Sequence, residues 1–287
     1  MILTIRDDFD LARIADSGQC FRFNVCDDPQ GISNEKGSFD GTPAYRVVAC
    51  DKLLYIRQID GSEYELSCSE EEYENFWKEY FDLNISYSDL RGRIDKRKDP
   101  YLYAASEYGK GIRILRQDPW EMLISFIISQ RKNIPAIKAS IEKLCALAGD
   151  EIGEEEGGGA VYSFPTPERL SRLSLSELAG CSLGYRDKYV HQAAMDVASG
   201  AVNLDDWKGL PDSELMEKLL GLYGVGVKVA NCEILFGYHR LDAFPRDVWI
   251  NRVLETRYPD GFLFDRYTPY NGVMQQYLFF YSRTGQL

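Results

Sequence analysis

Lys228 closes the run Leu-Tyr-Gly-Val-Gly-Val-Lys (222–228), and an acid, Asp247, follows in Phe-Pro-Arg-Asp-Val-Trp (244–249). Leu215, Leu219 and Leu220 lie at helical spacing, glycines between Gly221 and Gly226 interrupt the pattern, and an apolar periodic run resumes from Val229 to Phe236. The spacing predicts a helix, a tight hairpin and a second helix. Lys228 then falls in the first turn of that second helix, where the positive end of the helix dipole favours the neutral amine. A neutral amine is a nucleophile. The same helix start offers outward-facing backbone N–H groups, which suit a phosphate and therefore a DNA backbone.

The pattern leaves blander readings open. Lys228 is a nucleophile or a solvated side chain. Asp247, two residues after Pro245 and just ahead of an apolar helical run, is an N-cap, an acid, or both. Cys232, one helical turn beyond Lys228, is a small core residue or a wall of the pocket the lysine faces. Two nucleotide motifs are excluded. A P-loop needs Gly-Lys-Ser/Thr in succession, whereas Val227 separates Gly226 from Lys228; a dinucleotide fingerprint needs a preceding strand, and a helix precedes these glycines.

The elements that must position these residues begin with short strands rich in Val, Tyr and Ile over 44–50, 52–58 and 63–68, separated by turn signals at Cys50-Asp51 and Asp60-Gly61. They read as an antiparallel meander. Ser69 and Glu72 predict a capping box, and Tyr73, Phe76, Trp77, Tyr80 and Phe81 form an apolar stripe that packs its helix on the sheet. From Asp99 onward the pattern reads as helical throughout. Asp118, Pro119 and Glu121 open a buried helix, a second spans about 135–147, and the acidic, glycine-rich stretch 149–159 reads as a solvated surface loop. The fold class expected is α+β: an N-terminal antiparallel domain over 1–104 and an all-helical domain over 105–287. The hairpin motif lies at about 215–236, the aspartate loop at 243–250, and the active site in the cleft between the domains.

Lys228 and Asp247 with the glycine hairpin resemble the helix–hairpin–helix signature of base-excision DNA glycosylases, and the lysine resembles that of their bifunctional glycosylase/lyase branch. Ser-Gly-Gln-Cys-Phe-Arg (17–22), Ile-Arg-Ile-Leu-Arg-Gln-Asp-Pro (112–119), Leu-Gly-Tyr-Arg (183–186) and Gln275 to Phe279 are similar, in order, to segments of the 8-oxoguanine DNA glycosylase family. The resemblance implies excision of 8-oxoguanine from duplex DNA. Lys228 would attack C1′ and form a Schiff base that permits β-elimination, and Asp247 would support the positive charge developing on the sugar. It implies a base pocket of Gly18, Gln19, Phe21, Cys232, Gln275 and Phe279, with the Gly18 carbonyl accepting the N7–H that guanine lacks. It implies DNA contacts from Arg131, Asn133, Tyr185, Arg186, Gly224, Gly226, Val227 and Trp249, with Tyr185 as wedge and Arg186 on the orphaned base. Eukaryotic members approach that base with an asparagine and two arginines; here those positions read Arg131, Ala136 and Arg186. A glycosylase for alkylated bases, whose relatives lack the lysine, and a non-catalytic DNA-holding module remain the alternatives.

The 287 residues, 45% apolar and 13% aromatic, describe an ordinary globular chain. The first residues lack a basic n-region and an apolar h-region, and no run reaches the roughly 18 uncharged apolar residues of a membrane span. The expected location is cytoplasmic, nucleoid-associated in a prokaryote, or nuclear, and the expected state a monomer. Seven cysteines without a C-x-x-C pair, none beyond Cys232, argue against a zinc ribbon and an iron–sulfur cluster; no cofactor is expected, apart from a cation that hairpin carbonyls could hold. The net charge is −12, of which −8 falls in residues 1–100. DNA affinity must therefore come from a local patch and backbone donors, and it should be salt-sensitive.

Overall fold

The computed structural model describes residues 1–26, 32, 42–154 and 159–285. Its N-terminal part is a five-stranded antiparallel sheet in the order β1-β5-β4-β3-β2, formed by β1 (Ile2–Thr4), β2 (Phe23–Cys26), β3 (Ala44–Ala49), β4 (Lys52–Asp60) and β5 (Glu63–Leu66). The meander β3–β4–β5 follows the expected strands. Its register pairs Tyr45 with Ile56 and Val47 with Leu54, so their apolar side chains share a buried face with Phe23, Tyr64 and Leu66. The edge strands β1 and β2 add to what the sequence showed; at three and four residues they are too short to display a period.

Helix α1 (Leu11–Asp16), N-capped by Asp10, precedes β2. After β5 a continuous helical segment runs through α2 (Glu70–Glu72), a π turn (Tyr73–Trp77) and α3 (Lys78–Tyr80), and it lays Tyr73, Trp77, Tyr80 and Phe81 into the sheet core. The expected capping box is only half made. Ser69 Oγ accepts from the Glu72 N–H at 3.1 Å, but the Glu72 carboxylate accepts from Trp77 Nε1 at 2.8 Å. The Trp77 ring is fully buried and its N–H needs an acceptor.

The helical domain comprises α4 (Tyr87–Gly92), α5 (Pro100–Tyr108), α6 (Pro119–Ser129), α7 (Ile134–Ala148), α8 (Pro167–Ser171), α9 (Leu175–Ala179), α10 (Asp187–Ala198), α11 (Asp212–Leu220), α12 (Val227–Cys232), α13 (Val248–Arg257), α14 (Phe264–Tyr267) and α15 (Asn271–Ser282). Helix α6 has the predicted start: Asp118 accepts from the Glu121 N–H, and Pro119 takes a position that needs no donor. Its residues from Met122 to Ser129 are buried. The helical core begins ahead of residue 105, since Tyr87, Leu90, Ile94 and Leu102 all pack into it.

Two sequence expectations need correction here. The chain beyond Asp99 is not helical throughout: β6 (Glu151–Glu154) and β7 (Ala160–Tyr162) form an antiparallel hairpin. Nor is 149–159 simply a solvated loop, although residues 155–158 lie outside the described residues. Ser163 N–H donates to Asp150 O at 2.7 Å and closes the hairpin base, while Gly153 sits so close to Leu53 of β4 that a Cβ would overlap it. The hairpin thus braces α7 against the N-terminal sheet.

One buried side chain ties the sheet to the helices. Arg113, fully buried in the segment before α6, donates through Nε to Phe81 O at 3.1 Å and through Nη1 to Asp8 O at 2.8 Å and Asp7 Oδ2 at 3.0 Å. Its Nη2 donates to Asp82 O and Ile85 O. Burial works to raise the Asp7 carboxyl, but hydrogen bonds from Ser88, Tyr87 and Arg113 outweigh it and hold Asp7 below the usual carboxylate range.

Candidate active site

The hairpin between α11 and α12 is fixed by Gly224. Its φ of +84° is a left-handed conformation, and the Tyr189 ring lies where a Cβ would stand. Gln130, at the end of α6, donates from Nε2 to the Gly224 carbonyl at 3.0 Å and fastens the hairpin to the helical core. Gly226 then serves as the N-cap of α12 without a side-chain cap, and Val227 beside it is exposed. Among the described residues no side chain caps the first N–H groups of α12, an arrangement suited to a phosphate.

Lys228, in that first turn, lines a narrow cavity of about 50 Å³ with Gly18, Cys232, Asp247, Gln275 and Phe279. A wider cavity of about 340 Å³ shares Gly18, Phe126, Lys228, Asp247 and Phe279 with it and adds Phe21, Lys132, Asn133 and Trp249. Asp247 combines the two readings open in the sequence: Oδ1 accepts from Ile250 N–H at 2.8 Å and caps α13, while the side chain also faces the cavity of Lys228. Burial, the main cause, together with Asp247 and Glu233 pushes the Cys232 thiol up to about 12 against the pull of Lys228. Cys232 is therefore a neutral, polarisable wall rather than a thiolate.

Gln275 Nε2 donates to Pro245 O at 3.0 Å, and its buried Oε1 has no partner among the described residues. Such an orphaned acceptor is costly unless a ligand completes it. Gly18 has φ of +78°, and a Cβ there would lie only 3.1 Å from the edge of Phe279. The narrow slot is far smaller than the usual roughly 300–1,000 Å³ of a ligand cavity, so a flat ligand between Cys232 and Phe279 requires the slot to widen.

Gln19 is a correction, for it does not reach this cavity. Fully buried, it donates from Nε2 to Arg113 O at 2.8 Å and to Ser17 Oγ at 2.9 Å, and Oε1 accepts from Leu115 N–H at 2.8 Å. Its role is to pin the extended segment ahead of α6. Phe21 lines the wider cavity edge-on to Phe126, and Asn133 caps α7 by accepting from Ala136 N–H.

The expected DNA contacts divide into two groups. Tyr185 is half exposed and stacks edge-to-face on Tyr189, which meets Tyr223 of the hairpin in the same way at 4.8 Å. Arg131 is exposed with φ of +51°, Trp249 is partly exposed, and Ala136 is open to solvent. Arg186, by contrast, is buried and donates inward to the carbonyls of Gln130 and Leu183. Gln130, Lys132, Tyr189 and Tyr223 were not singled out by sequence; nothing in their spacing separates them from ordinary turn and helix residues. Lys132 Nζ donates to Ser140 Oγ and Ser182 O, each at 2.6 Å, beside the wider cavity. Among the described residues no three His, Cys, Asp or Glu side chains gather as metal ligands, and no helix is long and apolar enough to cross a membrane.

Residues 1–123 match the family described as 8-oxoguanine DNA glycosylase, N-terminal domain, and residues 124–259 match the HhH-GPD superfamily of base excision DNA repair proteins. Sheet, hairpin and lysine pocket together define a helix–hairpin–helix base-excision repair protein. Within that superfamily the chain belongs to the 8-oxoguanine DNA glycosylase family. A structure described as MBOgg1 in complex with a low affinity DNA ligand shares 36% identity and a TM-score of 0.88, over 100% of this chain and 96% of that one. The Clostridium acetobutylicum 8-oxoguanine glycosylase/lyase, solved with double-stranded DNA containing cytosine opposite 8-oxoG, shares 33% identity and a TM-score of 0.84, over 100% and 99% of the two chains. The Saccharomyces cerevisiae N-glycosylase/DNA lyase is 35% identical over 190 residues, which are 62% of this chain and 50% of the yeast protein. The match thus spans half the length of that relative.

Proposed function

We propose that this protein excises 8-oxoguanine from duplex DNA and then cleaves the strand. The observation that carries the proposal is the placement of Lys228 at the uncapped start of α12, in one cavity with Asp247, Cys232, Gln275 and Phe279. The glycosidic bond is inaccessible within a duplex, so the damaged nucleotide has to be extruded, at a cost of a few kcal/mol. Tyr185 and the neighbouring Tyr189 and Tyr223 supply an aromatic surface at the site of extrusion, and the N–H groups after Gly226 hold the phosphate. In the pocket the base lies between Cys232 and Phe279. Gln275 Oε1 accepts from its edge, and the Gly18 carbonyl accepts the N7–H that distinguishes 8-oxoguanine from guanine; leaving that acceptor unpaired costs about 1–3 kcal/mol.

Lys228 Nζ forms a bond to C1′ while the bond from C1′ to the base breaks, and the base leaves with the electron pair and takes up a proton. Asp247 stabilises the positive charge developing on the sugar. The amine bound at C1′ opens the sugar to a Schiff base, and loss of a C2′ proton expels the 3′ phosphate. These steps draw on the protein alone, so we infer that the reaction proceeds without a cofactor and with the protein as a monomer in the compartment that holds DNA.

Borohydride trapping tests the reading. Incubation with an 8-oxoguanine duplex and borohydride should give a covalent protein–DNA adduct, and Lys228→Gln should abolish adduct and base release while leaving duplex binding nearly intact. An adduct formed by Lys228→Gln would remove Lys228 from this role. A chelator should leave excision largely unchanged, whereas raising salt from about 50 to 200 mM should suppress it by weakening phosphate contacts.

A further inference from the structure

A second cavity, of about 460 Å³, lies between the N-terminal sheet and the helical domain and shares no lining residue with the catalytic one. The end of β3 with Cys50, the helical segment with Phe76, Glu79 and Tyr80, the first turn of α6 and the residues Gly237 to His239 enclose it. Its charges are unevenly matched. Each base on its wall already has a carboxylate: Arg22 Nε lies 3.1 Å from Glu142, Arg116 Nε 2.9 Å from Asp82, and Lys208 Nζ 2.6 Å from Asp205. Among the described residues, Glu79, Asp118 and Glu121 are in no ion pair.

Glu121 is the decisive one. It is only 7% exposed, its carboxyl makes no hydrogen bond among the described residues, and it lines this cavity. Burial, the largest influence, with Asp118 and Glu142 nearby pushes it up to about 8 despite the charge of Arg22, so a cation bound against it would displace its proton. The same cavity is lined by the rings of Phe76 and Tyr80, stacked with an interplanar angle of 14°, and by Tyr238. Phe76 already carries a cation on one face, the Lys52 ammonium 5.5 Å from the ring centre. Ionised by a bound cation, this buried carboxyl needs two donors, and in a cavity with flat aromatic walls that matches a planar cation offering a fork of N–H groups.

We propose that this cavity is a binding site for a small organic cation of the amidinium or guanidinium class, its charged end on Glu121 and Asp118 and its flat face against Phe76 and Tyr80. The site is independent of the excision reaction. Calorimetric titration of the full chain with benzamidinium chloride and, at equal ionic strength, with neutral benzamide tests it. Benzamidinium should bind at least tenfold more tightly than benzamide. Glu121→Gln should weaken benzamidinium at least tenfold while unfolding cooperatively, Glu79→Gln at the exposed rim should weaken it less, and Lys228→Gln should bind it as the unaltered protein does. Equal binding of benzamide and benzamidinium, or full affinity in Glu121→Gln, would overturn the assignment; loss of binding in Lys228→Gln would move the cation to the catalytic pocket.

Discussion

Arg186 Nε donates to the Gln130 carbonyl at 2.8 Å, so the guanidinium is held by the end of the helix that also fastens the glycine hairpin. With Nη1 on Leu183 O and Nη2 on Gln130 O, three of its five N–H bonds are spent inside the protein, and under the proposed function the remaining two would meet the orphaned base. Ala136 offers that base only a methyl group, and Arg131 projects from an exposed, left-handed turn. A charged donor is worth roughly 1.5–3 kcal/mol, and its loss should remove much of the penalty against wrong partners. Excision of 8-oxoguanine should accordingly favour cytosine only several-fold over thymine, guanine or adenine. Single-turnover rates on the four duplexes measure this. A preference near a thousandfold, about 4 kcal/mol, would mean that Arg131 or another group replaces the missing contact.

Gly224→Ala tests how far the hairpin depends on one glycine. The new methyl group meets the Tyr189 ring on a backbone with φ of +84°. Strain and overlap together should cost about 1–3 kcal/mol of stability and displace the carbonyl that Gln130 holds. Duplex affinity should fall at least tenfold, whereas Gly200→Ala, also at positive φ but in open space and far along the chain, should leave affinity unchanged. Equal affinities for the two variants in a fluorescence titration would show that the hairpin conformation does not govern binding.

Glu121 makes stability depend on pH in an unusual direction. Its carboxyl rises from 4.5 to about 8 in the folded chain, so between those values the folded protein holds a proton that the unfolded chain has released. Stability linked to this proton is fully present below pH 4.5 and is lost as pH rises towards about 8. Glu121→Gln has no proton to lose. Its advantage in unfolding free energy over the unaltered protein, read from denaturant titrations, should grow between pH 5 and 8.5 to the order of a few kcal/mol. A difference that stays constant across this range would show that Glu121 is ionised in the folded state.

Much of the site was legible because its signals are local. Lys228 sits two residues after a glycine turn and Asp247 precedes a helical run, so spacing alone puts one at a helix start and the other at a cap. Side chains whose partners lie far along the chain were not legible in this way. Gln19 stands in a matching motif beside Gly18, yet its amide meets Arg113 and Leu115 some 94 and 96 residues away and turns from the pocket. Arg186 bonds Gln130 across 56 residues, and Glu72 bonds Trp77 because a buried indole competes with the helix end. The β6–β7 hairpin was not legible because β6 carries acid and glycine and β7 is only three residues long, while its order comes from docking on Leu53. Local pattern sets where a residue sits; distant partners decide which way it faces.

Arg113 has a consequence for how the molecule comes apart. Its guanidinium reaches Phe81, Asp82, Ile85, Asp7 and Asp8, all from the N-terminal part, while its own backbone leads into α6 and its carbonyl accepts from Gln19. Melting either part alone would strand a buried positive charge, at a cost of several kcal/mol. The sequence boundary between two domains is therefore no thermodynamic boundary, and heating should release sheet and helices in a single calorimetric peak whose van't Hoff enthalpy equals the total heat absorbed.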